Sequence, residues 1–178
     1  MKRFILFVLL FSYSNVLAST DFDNYKPLLL YKSETKSLKT FQDWEVMQKT
    51  SPIKKSCYLI TFAYRSKGFE GIRSLPFLAV EVKGKRQYTI TSYPGFTTSN
   101  DISPILSIGG DDYLLSTESE NYNYTYNSSQ DIKIIDGMIG INKFVKIRSY
   151  QMEGGEALDF YSLKGFLGAL KYAERVCN

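Results

Sequence analysis

The chain has 178 residues, with 22 Lys and Arg against 18 Asp and Glu, a formal net charge of +4, no histidine and two cysteines. Hydrophobic residues make up 44% and aromatic residues 15%, mostly the 14 Tyr and 12 Phe, which is material for one domain with a sizeable core. Without histidine there is no Ser-His-Asp or Cys-His nucleophile, no histidine proton shuttle and no histidine-containing zinc site, and two cysteines do not close a four-thiolate one.

Lys2 and Arg3 precede an apolar run from Phe4 to Phe11, polar residues from Ser12 to Asn15, and then Val16-Leu17-Ala18. A positive head, a short apolar run, and Val16 and Ala18 at the third-last and last positions fit a secretory signal cut between Ala18 and Ser19. The run is far short of the roughly 20 residues that span a bilayer. Residues 1–18 are therefore read as a signal peptide, with no membrane span remaining after cleavage. Loss of Lys2 and Arg3 leaves 20 basic against 18 acidic residues, a formal +2. Such a balance argues against nucleic acid as a partner; Lys54-Lys55, and Lys83 with Lys85-Arg86, read as solvated loop ends.

Residues 19–40 are polar and irregular apart from Leu28-Leu29-Leu30, and read as a leader or linker. From Phe41 onward the chain becomes short runs of Val, Ile, Tyr, Phe and Thr between turn residues, the pattern of an all-β domain over residues 41–178. Predicted strands are Trp44 to Gln48, Cys57 to Arg65, Phe77 to Lys83, Arg86 to Tyr93, Ile105 to Ile108, Tyr113 to Thr117, Tyr122 to Tyr126, Ile132 to Ile141 and Phe144 to Gln151. Gly84-Lys85 predicts a type II′ hairpin turn and Asn142-Lys143 a second hairpin. Tyr93-Pro94-Gly95 and Gly109-Gly110-Asp111-Asp112 are further turn signals. One helix is predicted, at the end: Ser162 is its candidate cap, and Leu163, Phe166, Leu167, Leu170, Ala173 and Val176 recur at spacings of three and four. Gly165 and Gly168 lower its intrinsic helicity but permit close approach to the sheet that the helix covers.

An exported chain with an even cysteine count predicts a disulfide, here between Cys57 at a strand start and Cys177 at the helix end. No C-x-x-C partner or histidine activates either thiol. Asp111-Asp112 lacks the ligand spacing of a calcium loop and reads as part of a turn. Glu118, Glu120, Glu153, Glu156 and Asp159 supply carboxylates, yet nothing in the spacing pairs them at catalytic separation. No catalytic, cofactor-binding or metal-binding residues are assigned. In Asn121-Tyr122-Asn123-Tyr124-Thr125-Tyr126-Asn127, a strand would put Tyr122, Tyr124 and Tyr126 on one face. That face is either an aromatic platform for a protein or glycan, or a sheet face half buried under the helix. Asn123 and Asn127 head sequons that matter only in a glycosylating host.

Asp159-Phe160-Tyr161-Ser162-Leu163-Lys164-Gly165-Phe166, then Ala169-Leu170 and Cys177, resembles the D-T-Y-S-L-x-G-F…A-L…C ending of the invasion-associated locus B family, exported proteins of Gram-negative bacteria. Trp44, Lys55-Ser56-Cys57-Tyr58-Leu59, Tyr93-Pro94, Ile108-Gly109-Gly110 and Met138-x-Gly140 agree in order, so the resemblance covers roughly Phe41 to Cys177. Phe160 replaces the usual threonine, Met152-Glu153-Gly154-Gly155 stands where Arg-Gly-Thr is usual, and the Tyr/Asn strand replaces a segment that often holds a tryptophan. The resemblance implies an immunoglobulin-like β-sandwich, on a sheet face of which the apolar stripe packs the C-terminal helix, an extracytoplasmic location and a role tied to host-cell invasion. It implies no catalytic residues and no cofactor. The expected function is non-enzymatic: contact with a protein partner at the host interface or in the envelope, from the periplasm, the outer surface or the medium. The alternative is a periplasmic glycan- or small-ligand-binding module using the tyrosine-rich strand. A Lys-, Ile-, Tyr- and Asn-rich composition is compatible with a host-associated bacterium.

Overall fold

The structure, a computed structural model, describes residues 35–49, 56–71, 73–119, 121–140 and 143–177. The signal segment with its Ala18–Ser19 cut, Leu28-Leu29-Leu30, Lys54-Lys55 and Asn142 lie outside the described residues. Among the described residues, twelve strands and two helices follow in order: β1 (Thr35–Phe41), β2 (Trp44–Lys49), β3 (Ser56–Phe62), β4 (Arg65–Lys67), β5 (Phe77–Gly84), β6 (Gln87–Tyr93), β7 (Ile105–Ile108), β8 (Asp111–Leu114), β9 (Ser116–Ser119), β10 (Tyr122–Tyr124), α1 (Ser128–Ile139), β11 (Phe144–Tyr150), β12 (Glu156–Ser162) and α2 (Phe166–Val176). They form two antiparallel sheets, one ordered β1-β2-β3-β5-β6-β10-β9 and the other β4-β12-β11-β7-β8. The result is the expected all-β sandwich with a C-terminal helix packed on a sheet face.

Alternation decides which face each strand buries. Val46, Leu59, Val80 and Ile90 point from the larger sheet into the core, where Leu106, Val145, Ile147 and Tyr161 of the smaller sheet meet them. The helices cover the rest of that inner face: α2 lies on β1, β2, β3 and β5, α1 on β6 and β7, and the helices touch. Each wholly buried aliphatic or Phe side chain here contributes about 1.5–3 kcal/mol. A second cluster, Tyr58, Ile60, Phe77, Ala79 and Tyr122, occupies the opposite face of the larger sheet.

The predicted strand Ile132 to Ile141 is instead helix α1, from Ser128 to Ile139. Asn127 caps this helix, its Oδ1 accepting from the Gln130 amide at 3.0 Å, while Gln130 Oε1 accepts from the Tyr126 amide at 3.0 Å. Asp131, Ile134, Ile135 and Met138 form the buried stripe at spacings of three and four, and Ile139, which lent the run its strand-like look, is exposed. With a helix before β11, the hairpin expected at Asn142-Lys143 lacks its first strand; Asn142 itself lies outside the described residues.

The predicted strand Tyr113 to Thr117 is two strands in different sheets, divided at the buried Leu115. The leader also ends early. Its last residues, Thr35 to Thr40, belong to edge strand β1, where Leu38 and Phe41 are the apolar anchors among polar neighbours. In the β5–β6 hairpin, Gly84 pairs with Gln87 as the end of its strand, and Arg86 takes the left-handed backbone at φ 57°. The β7–β8 loop is Gly109-Gly110, both at positive φ, so Asp111 and Asp112 are strand residues.

Candidate functional site

The C-terminal motif is where both sheets and α2 meet. Asp159 sits on the inward face of β12, 1% exposed, and both of its oxygens are taken by Arg73: Nη2 to Oδ1 at 2.6 Å and Nη1 to Oδ2 at 3.1 Å. The Ser66 hydroxyl donates to Oδ1 at 2.6 Å, and Arg73 Nη1 also donates to the Pro94 carbonyl at 2.9 Å. Above the guanidinium, Phe69 and Phe96 stack with centroids 5.1 Å apart, at 5.2 and 5.9 Å from the Arg73 carbon. The cluster ties β4, β12 and two loops to one charge pair.

Tyr161, on the same strand face, is 1% exposed. Burial first, and the neighbouring Asp159 charge second, push its phenol well above the usual range, with Arg73 opposing. The next residues turn the chain into α2. The Ser162 carbonyl accepts from the Trp44 indole at 2.9 Å, while its hydroxyl accepts from the Lys164 amide rather than capping the helix. Gly165 is the cap residue, at φ 87°, and a Cβ there would lie 1.9 Å from the Phe41 carbonyl oxygen. Gly168 similarly faces the Phe41 ring. Leu163 and Phe166 are buried, Phe166 against Trp44 at 4.9 Å. At the far end of α2, Cys177 is bonded to Cys57 of β3 across 120 residues of sequence, the disulfide expected.

Tyr122 and Tyr124 face the side of the larger sheet that the helices do not cover. Tyr122 is buried and Tyr124 partly buried on the opposite face of the larger sheet, in a chain of ring contacts through Tyr93 to Phe77. Tyr126 falls past the end of β10, 56% exposed, near the Ser103 hydroxyl at 3.4 Å. Between the tyrosines, Asn123 points inward and is wholly buried. Its Nδ2 donates to Ser92 and to Ser149 across the sandwich, and its Oδ1 accepts from Thr117. A glycan on Asn123 is incompatible with this packing, whereas Asn127 is exposed at the α1 cap.

Two further polar contacts were not evident from sequence. Asp131 in the first turn of α1 is 4% exposed; Oδ1 accepts from the Thr125 hydroxyl and from the Ile90 amide at 3.1 Å. β10 stops at Tyr124, so this carboxylate takes the place of the strand that would have satisfied Ile90. Burial holds its carboxyl above the ordinary value, against the pull of these hydrogen bonds and of Lys83. Tyr88 donates to Glu174 at 2.6 Å, joining β6 to α2, and burial with that bond raises its phenol.

A shallow groove of about 370 Å³ opens beside the β11–β12 turn, lined by Thr97, Gln151, Met152 and Glu153. Of the carboxylates considered from sequence, Asp159 is consumed by Arg73, and Glu156 lies 3.7 Å from Arg148. Among the described residues, no three acidic or cysteine side chains are placed to share a metal ion.

Fold and site together define a disulfide-bridged β-sandwich in which, among the described residues, every buried polar side-chain atom has a hydrogen-bond partner. No family model matches the chain, and neither a curated protein nor a solved structure matches it.

Proposed function

We propose that this is an exported, non-enzymatic protein of the invasion-associated type, acting through contact with a protein partner at the host interface or in the cell envelope. The observation that carries it is the Cys57–Cys177 bridge, because such a bond persists in an oxidising compartment and agrees with the signal pattern of residues 1–18. The motif at Asp159 to Phe166 supplies the functional class by resemblance. The engagement of Asp159 and Asp131 with their own neighbours gives a hydrolytic reading no support. The glycan-binding alternative is also weakened, since of the three tyrosines only Tyr126 offers an open ring.

Fractionation of producing cells, thiol mapping and a gene deletion test the reading together. The expected result is a processed chain outside the cytoplasm, with Cys57 and Cys177 oxidised and with host-cell entry or envelope integrity impaired on deletion. Cytoplasmic retention with two free thiols overturns it, as does a deletion that leaves both entry and the envelope unchanged.

A further inference from the structure

The outer face of the smaller sheet carries an unusual side-chain pattern. Register places Arg65, Phe160, Lys146, Ser107 and Asp112 in one row across β4, β12, β11, β7 and β8. The adjacent row is Lys67, Leu158, Arg148, Ile105 and Leu114. Four cations thus surround Phe160 and Leu158. Arg65 and Lys67 sit over the Phe160 ring at 5.6 and 6.0 Å, and they and Lys146 have no carboxylate partner among the described residues. Among the described residues, Arg148 pairs with the half-exposed Glu156 at 3.7 Å. The four come from two strands about 80 residues apart in the chain, so the near-neutral composition concealed them. Among the described residues, the helices pack on the larger sheet and β7 rather than on this face. Leu114 and Phe144 are 55% and 38% exposed on it.

We propose that this face docks an acidic segment of a protein partner, its carboxylates meeting the four cations and its apolar side chains meeting the Leu158–Ile105–Leu114 row. The proposal rests on the exported, protein-contact reading and adds the surface and the partner's chemistry. The face is about 19 Å wide across its five strands, about 24 Å long on β11 and β12 and only about 10–14 Å long on β4, β7 and β8, from strand spacings of ~4.8 Å and rises of ~3.4 Å per residue, an area of about 400 Å². That is roughly half of the ~800 Å² per side typical of stable interfaces, so it suits a segment rather than a whole domain. A second copy is disfavoured because a two-fold pairing would set cation against cation. An aliphatic row offers little to an anionic glycan. Phe160, Leu158 and Ile105 are half-buried, which leaves only Leu114 and Phe144 as exposed apolar side chains on this face, little for insertion into a headgroup layer.

The test uses the mature chain and a synthetic peptide alternating glutamate with valine, with heparin and phosphatidylglycerol vesicles as competing probes. Calorimetry should show peptide binding that weakens with added salt and falls by about tenfold or more in Arg65→Glu/Lys146→Glu. The neutral pair Arg65→Gln/Lys146→Gln should fall between, and Lys171→Glu on the exposed side of α2 should leave binding unchanged; thermal melts confirm that each variant is folded. Absent peptide binding, equal binding by wild type and charge-reversed chain, or binding of heparin or vesicles alone overturns the proposal. If Arg65→Glu/Lys146→Glu restores a deletion phenotype as fully as wild type, this surface is wrong while the exported-contact reading stands.

Discussion

Arg73 and Asp159 place two full charges where one is 10% and the other 1% exposed. Desolvation opposes that, and the pair is tolerable because two guanidinium bonds and the Ser66 hydroxyl occupy the carboxylate. Arg73→Ala strands Asp159 and should cost about 3–5 kcal/mol in urea unfolding, whereas Arg73→Met with Asp159→Leu should cost much less. Asp131 poses the opposite electrostatic case. Its folded carboxyl binds a proton more readily than the unfolded one, so the native state gains on acidification. That stability is complete below the ordinary carboxyl value of 3.8 and declines as pH rises through the raised folded value. Asp131→Asn keeps an oxygen for Ile90 and cannot ionise. The melting temperature of wild type relative to this variant should therefore fall as pH climbs through the window; a constant difference contradicts the assignment.

At the scale of elements, strands announced by alternating apolar residues were legible: β2, β5, β6, β7 and β11 lie where the pattern put them, to within one or two residues. α1 was not, because Ile132, Ile134, Ile135, Ile139 and Ile141 read as a β-branched run, and the polar Asp131 hid the first position of the helical stripe. The signal that would have found it is the cap, Asn127 with Gln130 three residues on. Asn127→Ala should cost about 1 kcal/mol, read as a lower unfolding midpoint. The Arg73–Asp159 contact left no local trace, since its partners are 86 residues apart. The turn into α2 is set by Gly165. Gly165→Ala should cost about 2–4 kcal/mol, the left-handed φ adding to a collision with the Phe41 carbonyl. Gly110→Ala, at φ 101° with nothing within 4 Å, should cost only about 1 kcal/mol. Equal losses at the two glycines would show that the close approach to β1 does not matter.

For the whole molecule, the question is what holds α2 to the sandwich. Its apolar stripe, Phe166, Ala169, Leu170 and Ala173, is buried against β1, β2, β3 and β5, and Tyr88 anchors Glu174 near its end. The bridge to Cys57 acts chiefly on the unfolded chain, by forbidding the separation of residues 120 apart. For a loop of that length the chain-entropy account gives about 5 kcal/mol, an upper figure because a compact unfolded state has less freedom to lose. Cys177→Ser should thus lower the unfolding free energy by several kcal/mol in oxidising buffer. In reducing buffer the wild type has already lost the constraint, and the two proteins should melt within a degree or two of one another. The substitution leaves the packing of Phe166 to Ala173 intact, so reduced wild type and variant should share far-ultraviolet circular dichroism with the oxidised protein below their transitions. An equal deficit in both buffers would instead place the cost in the buried contacts of Cys177 with Gln48 and β3, and would remove the bridge from its role as the link between helix and sheet.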